Sequence, residues 1–376
     1  MSNAADPTAI KIPNDLLPGD GRFGSGPSKV RPEAAQAVAD AATALLGTSH
    51  RQPAVRNLVG SIRSGLADLF ELPDGYEVLL GNGGSTLFWD AAAFGLIERR
   101  SEHLVFGEFS GKFAEAVAAA PFLDDPVIIE SEVGTHPDLV PDASVDAYAY
   151  PHNETVTGVM ADVVRPDADG LVLVDGTSAA AGMAFDPKNV DVYYFAPQKA
   201  FASDGGLWFA LMSPAAIERI ERLAATDRWV PSSLSLSIAL ENSRLDQTYN
   251  TPAIGSLVLL DANVKWMLDH GGLAYTTGRC DRSAEILYGW AEASAYASPY
   301  VAKPSERSHT VATIDFAESV DGAAVAQALR ANGVLDTEPY RKLGRNQLRI
   351  AMFPAIDPDD IAALTRCIDF VVDALA

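Results

Sequence analysis

Along roughly the first 250 residues, two patterns of hydrophobic and polar positions follow each other in turn: near-continuous apolar runs and segments with helical periodicity. Near-continuous apolar runs, as expected of strands covered on both faces, are YEVLLG, HLVFGE, PVIIES, DAYAY, GLVLVDG (170–176), VDVYYFAP (190–197) and GLWFALMS (206–213). Two segments between the first three runs have helical periodicity, from Ser85 to about Arg99 and over GKFAEAVAAA. Because strands and helices alternate, we expect βαβ units within one α/β domain.

The pattern changes after Pro252. Long helical stretches, interrupted at His270-Gly271-Gly272, are followed by a strand TVATIDF, a helix DGAAVAQALRANG, a strand QLRIAMF and a last helix from about Pro358. This order of elements predicts a smaller α+β C-terminal domain, which we place at residues 256–376.

The start of the chain reads as an arm, because its first 30 residues are rich in Gly, Pro and Asp. Pro32 can then begin a helix that ends near Leu46. With the large α/β domain this arm makes up residues 1–255. The arm lacks a basic region followed by an apolar stretch, and the chain has no run of eighteen or more apolar residues. We therefore expect a cytoplasmic protein that does not bind membranes.

Composition and charge narrow the choice of partners. The chain has 376 residues and is 48% hydrophobic, enough for a sizeable core. Its 50 acidic and 28 basic residues give a net charge of -22, which would repel nucleic acid and acidic membranes. The two cysteines, Cys280 and Cys367, are too few for a disulfide framework and lack the paired spacing of a zinc site, so no metal is expected.

Two residues with chemical potential follow adjacent predicted strands. Asp175 lies at the carboxyl end of the run 170–176, and Lys199 lies just beyond the run 190–197, where open α/β sheets bind ligands. A lysine that forms a Schiff base and a carboxylate that keeps a pyridinium nitrogen charged are what pyridoxal 5'-phosphate (PLP) requires. The alternative is structural: Asp175 caps a turn and Lys199 is a loop cation.

PLP also needs a phosphate site, and LLGNGGSTLFWDAAAF offers one. Gly83 and Gly84 form a turn that allows close backbone approach, and Ser85 and Thr86 begin a helix whose free N–H groups and dipole favour an anion. The same glycines could belong to a dinucleotide fingerprint. However, Thr86 stands where that motif needs its third glycine, which makes the dinucleotide alternative the weaker one.

Several short motifs occur in a familiar order along almost the whole chain, from GSGPSKV near residue 24 to RIAMFP near residue 349. They include Ser49-His50-Arg51, Gly83-Gly84, Asn153-Glu154-Thr155, Asp175, Gln198-Lys199 and Asn250-Thr251-Pro252. In this order they resemble the phosphoserine aminotransferases, class V enzymes of PLP fold-type I. The resemblance implies a large domain with a mostly parallel seven-stranded sheet flanked by helices, and a homodimer with composite active sites.

The resemblance also implies roles for the cofactor-binding residues. Lys199 and Asp175 would be the catalytic pair, and Thr155 would hydrogen-bond the cofactor's 3'-oxygen. Gln198 would reach the phosphate together with the turn formed by Gly84, Ser85 and Thr86. Phe109 stands where the family usually stacks a Trp on the pyridine ring, and Phe can still stack. Asn250 and Thr251 would bind the phosphate of the partner subunit's cofactor; the structural alternative, the weaker of the two, is a helix cap before Pro252.

Substrate binding needs cations. A planar arginine binds an α-carboxylate bidentately, and Arg349 matches the family position for that role. The substrate phosphate or second carboxylate would be held by Arg341 and, from the partner subunit, by His50 and Arg51. Tyr340 stands where many members have a histidine, and the loop that follows it is longer and adds Arg345. The structural alternative is that these arginines lie on a solvated surface.

Amino transfer from L-glutamate to 3-phosphohydroxypyruvate, giving O-phospho-L-serine and 2-oxoglutarate, is the activity that the resemblance implies. It belongs to L-serine biosynthesis, and some relatives also take the longer phosphonooxy oxo acid of pyridoxine (vitamin B6) biosynthesis. Two other hypotheses stay open. Another class V aminotransferase, using alanine or serine with glyoxylate, would share the cofactor residues but not need His50, Arg51 and Arg341. A non-catalytic PLP-fold binding protein would keep only the scaffold.

Overall fold

The structure, a computed structural model, describes residues 6–376. Its helices are α1 (Pro32–Leu45), α2 (Pro53–Leu69), α3 (Ser85–Gly95), α4 (Glu108–Ala118), α5 (Pro214–Ala224), α6 (Leu236–Arg244), α7 (Ile254–Asp269), α8 (Gly272–Ala293), α9 (Gly322–Ala331) and α10 (Pro358–Leu375). Its strands are β1 (Glu77–Asn82), β2 (Ser101–Val105), β3 (Val127–Glu130), β4 (Ala147–Pro151), β5 (Asn153–Glu154), β6 (Val159–Met160), β7 (Leu171–Asp175), β8 (Val192–Phe195), β9 (Leu207–Met212), β10 (Ala297–Pro299), β11 (Val311–Phe316) and β12 (Gln347–Ala351).

A seven-stranded sheet with strand order β1-β9-β8-β7-β4-β2-β3 lies at the centre. Strands β8, β7, β4, β2 and β3 are parallel to their neighbours among these five, and β9 is antiparallel to both β8 and β1. The prediction of a mostly parallel seven-stranded sheet is therefore confirmed. Because five parallel strands end at one edge, that edge collects the loops that can form a site.

Both faces of this sheet are covered, which explains why its strands read as continuous apolar runs. Successive residues of a strand enter opposite layers: Leu79 and Tyr194 pack with α3 to α6, whereas Leu80 and Tyr193 pack with α2 and α7. The sheet is thus sandwiched between helices, and its position relative to α3 and α4 is fixed by buried side chains.

The smaller antiparallel sheet, β10-β11-β12, packs with α8, α9 and α10 around a core of its own. Ile10 and Ile12 of the arm also belong to this core, whereas Leu257 and Leu260 of α7 belong to the core of the large sheet. Division of the chain into domains after residue 255 stays a prediction. The packing associates the arm with the C-terminal core and α7 with the large sheet.

Two helix boundaries differ from the predicted ones. Helix α3 ends at Gly95 and not near Arg99, because the carboxylate of Asp146 accepts hydrogen bonds from the backbone N–H groups of Glu98, Arg99 and Arg100 at 2.7–2.9 Å. Helix α4 begins at Glu108, before the predicted GKFAEAVAAA, so Phe109 lies in its first turn. Within residues 6–376, no helix has the length and apolar character needed to span a bilayer.

Candidate active site

A cavity of about 330 Å³ opens where β4, β7 and β8 end. It is lined by Ser25, Gly26, Pro27, Gly84, Ser85, Thr86, Trp89, Phe109, Pro151, Asn153, Thr155, Asp175, Thr177, Ser178, Gln198, Lys199, Tyr340 and Arg349. Most of the residues predicted for the site are in this wall: Gly84, Ser85, Thr86, Phe109, Thr155, Asp175, Gln198, Lys199 and Arg349. The cavity thus brings together residues that are far apart along the chain, from Ser25 of the arm to Arg349 on β12, at the edge where the parallel strands end.

Lys199 lies in the loop after β8 and is only 8% exposed. Its Nζ donates a hydrogen bond of 2.9 Å to Oγ1 of Thr155 and lies 5.4 Å from the centre of the Phe109 ring. Burial lowers the pKa of Lys199 to about 8, although the charges of Asp175 and Glu154 oppose this shift. An amine with this pKa is partly uncharged near neutral pH and can act as a nucleophile or a base.

Asp175 is the last residue of β7, next to β8 in the sheet. Its Oδ1 accepts a hydrogen bond of 2.8 Å from the backbone N–H of Thr177. Burial raises the pKa of Asp175, and hydrogen bonds from Thr177, the charge of Lys199 and a hydrogen bond from Tyr194 act in the opposite direction. A carboxylate in such surroundings favours a cationic partner, which would stabilise its charged form.

The N-terminus of α3 forms another part of the wall. Its N-cap is Gly84, which lines the cavity, and no side chain of the described residues caps the helix, so the N–H groups of its first turn are free to bind a ligand. Gly83 has a φ of +114°, a conformation that favours glycine, and its N–H donates to the carbonyl of Gly206 at 2.9 Å. The oxygens of Ser85 and Thr177 are hydrogen-bonded at 2.5 Å. This geometry is suited to an anion.

Thr155 belongs to a short polar network beside Lys199. Its hydroxyl donates to Oγ of Ser178 at 2.9 Å, and that oxygen also accepts from Nδ2 of Asn153 at 2.8 Å. Ser178 in turn donates to the backbone carbonyl of Asn153 at 3.1 Å. The network fixes the side chain of Thr155, and hence the atom that holds Nζ of Lys199.

Arg349, on β12, is the arginine among the residues that line this cavity. Its Cζ lies 5.5 Å from the centre of the Tyr340 ring, and burial lowers the pKa of Arg349. Its Nε is buried and lacks a hydrogen-bond partner within residues 6–376. A guanidinium held in this way is well placed to bind a carboxylate, since it has donors to spare.

Five predicted residues lie outside this cavity. Four of them, His50, Arg51, Asn250 and Thr251, form a separate group, in which Nδ1 of His50 and Oγ1 of Thr251 are hydrogen-bonded at 3.2 Å. Arg51, Asn250 and Thr251 are exposed, and Asn250 lines a neighbouring depression beside Gly83. Burial and the nearby Arg51 lower the pKa of His50. We refer to these four residues as the second cluster.

Arg341, the fifth, is exposed in a short helical turn at Arg341–Leu343. Arg345, in the same loop, forms an ion pair with Asp315, and its guanidinium lies 4.6 Å from the centre of the Tyr300 ring. Arg345 is therefore engaged away from the cavity. Tyr340, by contrast, faces the cavity from the start of this loop.

Sequence reasoning did not assign several residues of the wall: Ser25, Gly26, Pro27, Trp89, Pro151, Asn153, Thr177, Ser178 and Tyr340. Some left a signal. Thr177 and Ser178 lie close after Asp175, and Ser25, Gly26 and Pro27 belong to the GSGP motif. Gly26 is needed for a steric reason, because a Cβ there would lie 2.9 Å from Cε of Lys199. The approach of the arm to Lys199 is a tertiary contact that no local pattern shows.

Comparison with known proteins gives consistent matches. Residues 138–336 match the family model described as aminotransferase class-V. The chain is 59% identical over 371 residues to the phosphoserine aminotransferase of a Nocardioides species, covering 98% of this chain and 99% of that protein. The phosphoserine aminotransferase of Cytophaga hutchinsonii has a TM-score of 0.84 at 24% identity, over 92% of this chain and 97% of that one. The PLP-bound phosphoserine aminotransferase of Trichomonas vaginalis has a TM-score of 0.80 at 19% identity, over 93% and 99%.

Proposed function

The chain belongs to the class-V aminotransferase family, and on that premise we propose that it is a phosphoserine aminotransferase of L-serine biosynthesis. It would transfer the amino group of L-glutamate to 3-phosphohydroxypyruvate, giving O-phospho-L-serine and 2-oxoglutarate. One observation carries the proposal. A single cavity joins a buried lysine, a half-buried carboxylate, a helix N-terminus and an arginine with a spare donor.

The wall of this cavity fits PLP. Oδ1 of Asn153 and Oε1 of Gln198 are buried without a hydrogen-bond partner in the described part of the chain, and both residues line the cavity, which favours a bound group that carries hydrogen-bond donors. The N-terminus of α3 and Gln198 would hold the phosphate, Asp175 the ring nitrogen and Thr155 the ring hydroxyl. Lys199 would take the aldehyde carbon, and Phe109 would cover the ring. When bound, PLP supplies an electron sink for the charge left when a proton leaves the amino acid's Cα.

Lys199 provides the proton transfer. Burial lowers the pKa of Lys199 to about 8, so its Nζ can accept a proton from the substrate's Cα as general base. The same Nζ would then donate this proton, as general acid, at the carbon that carried the aldehyde of the cofactor. The hydroxyl of Thr155 holds Nζ in one position, and this position is fixed in turn by Ser178. Asp175 keeps negative charge close to the reacting group.

Arg349 would bind the α-carboxylate that both substrates carry. Its guanidinium is planar and can donate two parallel hydrogen bonds to a carboxylate, and the ring of Tyr340 covers one face of it. Tyr340 thereby limits the orientations of Arg349, and both side chains keep water from part of the cavity.

The remaining anionic group, a phosphate or a side-chain carboxylate, needs further cations. Arg349 is the guanidinium among the residues that line the cavity, and the second cluster lies outside it, largely exposed on the surface. These two facts support a homodimer in which the second cluster of one subunit completes the cavity of the other. His50 and Arg51 would bind the substrate anion, and Asn250 and Thr251 the cofactor phosphate. Arg341 would join them from its exposed turn.

The cytoplasm is the location we propose. Support comes from the two cysteines, which are both free and buried, as expected for a protein that does not depend on disulfides. Cell fractionation with a tagged chain tests this location, and recovery in a membrane or extracellular fraction would contradict it.

The substrate is tested by half-reactions of the holoenzyme. O-Phospho-L-serine, L-glutamate, L-alanine and L-serine are added separately, and the absorbance of the bound cofactor is followed. We expect O-phospho-L-serine and L-glutamate to change the spectrum at the lowest concentrations, because only they carry a second anion. A preference for L-alanine would overturn the substrate while leaving the cofactor site intact, and no change with any amino acid would overturn the activity.

A further inference from the structure

Glu154 is a fully buried carboxylate beside the cavity that the proposed reaction does not use. It is 0% exposed and lies on the short strand β5, between Asn153 and Thr155. Asn153 and Thr155 line the cavity, whereas Glu154 between them does not. A buried acid is costly unless its oxygens are hydrogen-bonded, so the partners of Glu154 are informative.

Those partners are at the start of helix α4. Oε2 of Glu154 accepts from the backbone N–H of Phe109 and of Ser110, both at 3.3 Å, and from Oγ of Ser110 at 3.2 Å. Oε1 accepts from the N–H of Val156 at 3.4 Å. The first turn of a helix has N–H groups without partners in the helix, and a residue at the N-cap usually binds them with its own side chain.

Helix α4 has no such side chain, since its N-cap is Gly107. Glu154 supplies the missing acceptor from another segment, and its negative charge also suits the positive end of the helix dipole. The glycine is needed for this contact. A Cβ on Gly107 would lie 2.2 Å from Cγ and 2.4 Å from Cδ of Glu154, so any other residue would displace the carboxylate.

The group held in this way is part of the cofactor site. Phe109 is the second residue of α4, its backbone N–H is bound by Glu154, and its ring lines the cavity 5.4 Å from Nζ of Lys199. We propose that Glu154 is a positioning residue, which fixes the first turn of α4 and thereby the Phe109 ring against the cofactor. The inference rests on the proposed function in that it requires PLP in this cavity.

Charge is a second way in which Glu154 could act, because its carboxylate also influences Lys199 electrostatically. Burial raises the pKa of Glu154, and the charge of Glu154 is among the influences that raise the pKa of Lys199. Two variants separate the effect of the hydrogen bonds to α4 from the effect of the charge. Glu154→Gln keeps an oxygen within reach of the two N–H groups and removes the charge. Glu154→Asp keeps the charge but is one methylene shorter, so it cannot reach both N–H groups.

The experiment uses purified holoenzymes and two readouts besides activity: retention of PLP on dialysis, and the circular dichroism of the cofactor band per bound PLP, which reports ring orientation. We expect Glu154→Asp to lose PLP affinity roughly tenfold, the factor for one or two buried hydrogen bonds, and to weaken the dichroism. Glu154→Gln should resemble the wild type. In a Phe109→Ala background, Glu154→Asp should have little further effect, since the two residues act through one contact.

Asp321→Ala is the matched control. Asp321 binds the N–H groups of Ala323 and Ala324 at the start of α9 in the same way, so its loss should lower stability without changing either readout. If Glu154→Asp does not fold, Gly107→Ala replaces it, because its methyl group displaces the carboxylate while Glu154 stays intact. The same loss is expected from it.

Three outcomes overturn the inference: Glu154→Asp or its substitute matches the wild type in both readouts, Glu154→Gln is impaired as strongly as Glu154→Asp, or Glu154→Asp has its full effect without the Phe109 ring. Failure of the proposed function looks different, because the wild-type protein would then bind no PLP or would show no response to amino acids.

Discussion

Lys199 and Asp175 show how burial prepares two side chains for opposite tasks. The same loss of water lowers the pKa of the lysine and raises that of the carboxylate, because in each case the charged form is destabilised. Each group then gains from a partner of opposite charge. A cationic ring nitrogen would restore the charge of Asp175, while Lys199 keeps an uncharged fraction for chemistry.

Replacing Lys199 tests its role directly. We expect Lys199→Ala to lower kcat by roughly 10³-fold or more, because both the covalent attachment point and the general base are lost. Steady-state assay of the purified variant with L-glutamate and 3-phosphohydroxypyruvate measures this. Lys265→Ala, at an exposed lysine that pairs with Asp261 on α7, is the control and should keep its activity. A Lys199→Ala enzyme with more than a tenth of the wild-type rate would contradict the assignment.

The pKa of Lys199 gives a second prediction. The uncharged amine is the reactive form, so the rate at which the PLP-free protein takes up PLP should rise as the pH passes through about 8. The charge of Asp175 raises the pKa of Lys199, and Asp175→Asn should therefore move this profile to lower pH. Stopped-flow absorbance over a range of pH measures both. A profile that moves to higher pH in the variant would contradict the proposed coupling.

Single residues were predictable from the sequence where a strand end or a helix start placed them. Asp175, Lys199 and the Gly84 turn fall in this class, because each follows a strand that the local pattern predicts and therefore lies near one end of that strand at an edge of the sheet. Ser25, Gly26 and Pro27 do not, since the arm that carries them is held beside Lys199 by its packing on the C-terminal core. Their place in the wall depends on contacts hundreds of residues apart along the chain.

At the scale of elements, the ends of helices depended on residues outside them. Helix α3 stops where Asp146 takes up the next N–H groups, and α4 starts where Glu154 binds its first turn. Helix α2 is not among the predicted elements, although apolar residues recur in it at helical spacing, at Val55, Val59, Ile62, Leu66 and Leu69. The apolar periodicity of α2 is sufficient to predict this helix from the sequence. The boundaries of α3 and α4, in contrast, depend on tertiary contacts.

The break between α7 and α8 was predicted at His270-Gly271-Gly272 and is confirmed. Gly271 has a φ of +116°, which an L side chain rarely adopts, so Gly271→Ala should lower the free energy of unfolding by about 1 kcal/mol. Gly278→Ala is the matched variant, at an exposed position inside α8 with open space around a new Cβ. It should raise the free energy of unfolding by about 0.5–1 kcal/mol. Denaturant unfolding measures both, and equal signs would contradict the argument.

At the scale of the whole molecule, the cavity joins parts that lie in different cores. Arg349 comes from the small sheet, Lys199 from the large one, and Gly26 from the arm that packs on the small sheet's core. Backbone hydrogen bonds tie the arm down along its length, from Leu335 N–H to the Gly21 carbonyl and from Ala351 N–H to the Phe23 carbonyl. The cavity therefore depends on how the cores pack together, which a linear pattern does not specify.

The composite site makes a prediction that only an assembly can show. Lys199→Ala and Arg51→Ala homodimers should each be nearly inactive, because every cavity lacks either its lysine or a cation from the second cluster. In a mixed dimer, one cavity carries both defects and the other carries neither. Random exchange of equal amounts would place about a quarter of all cavities in this intact state, so the mixture should recover roughly a quarter of the wild-type activity.

Subunit exchange by mild denaturation and refolding of the two variants, followed by the transamination assay, measures this recovery. A mixture of Lys199→Ala with Asp175→Asn is the control. Both of these residues line the cavity of their own subunit, so a mixed dimer would contain one defect in each cavity and no intact one. Recovery in the first mixture and not in the control requires that Arg51 acts across the interface. Equal, negligible activity in both mixtures, with exchange verified by differently tagged subunits, would mean that Arg51 serves its own subunit.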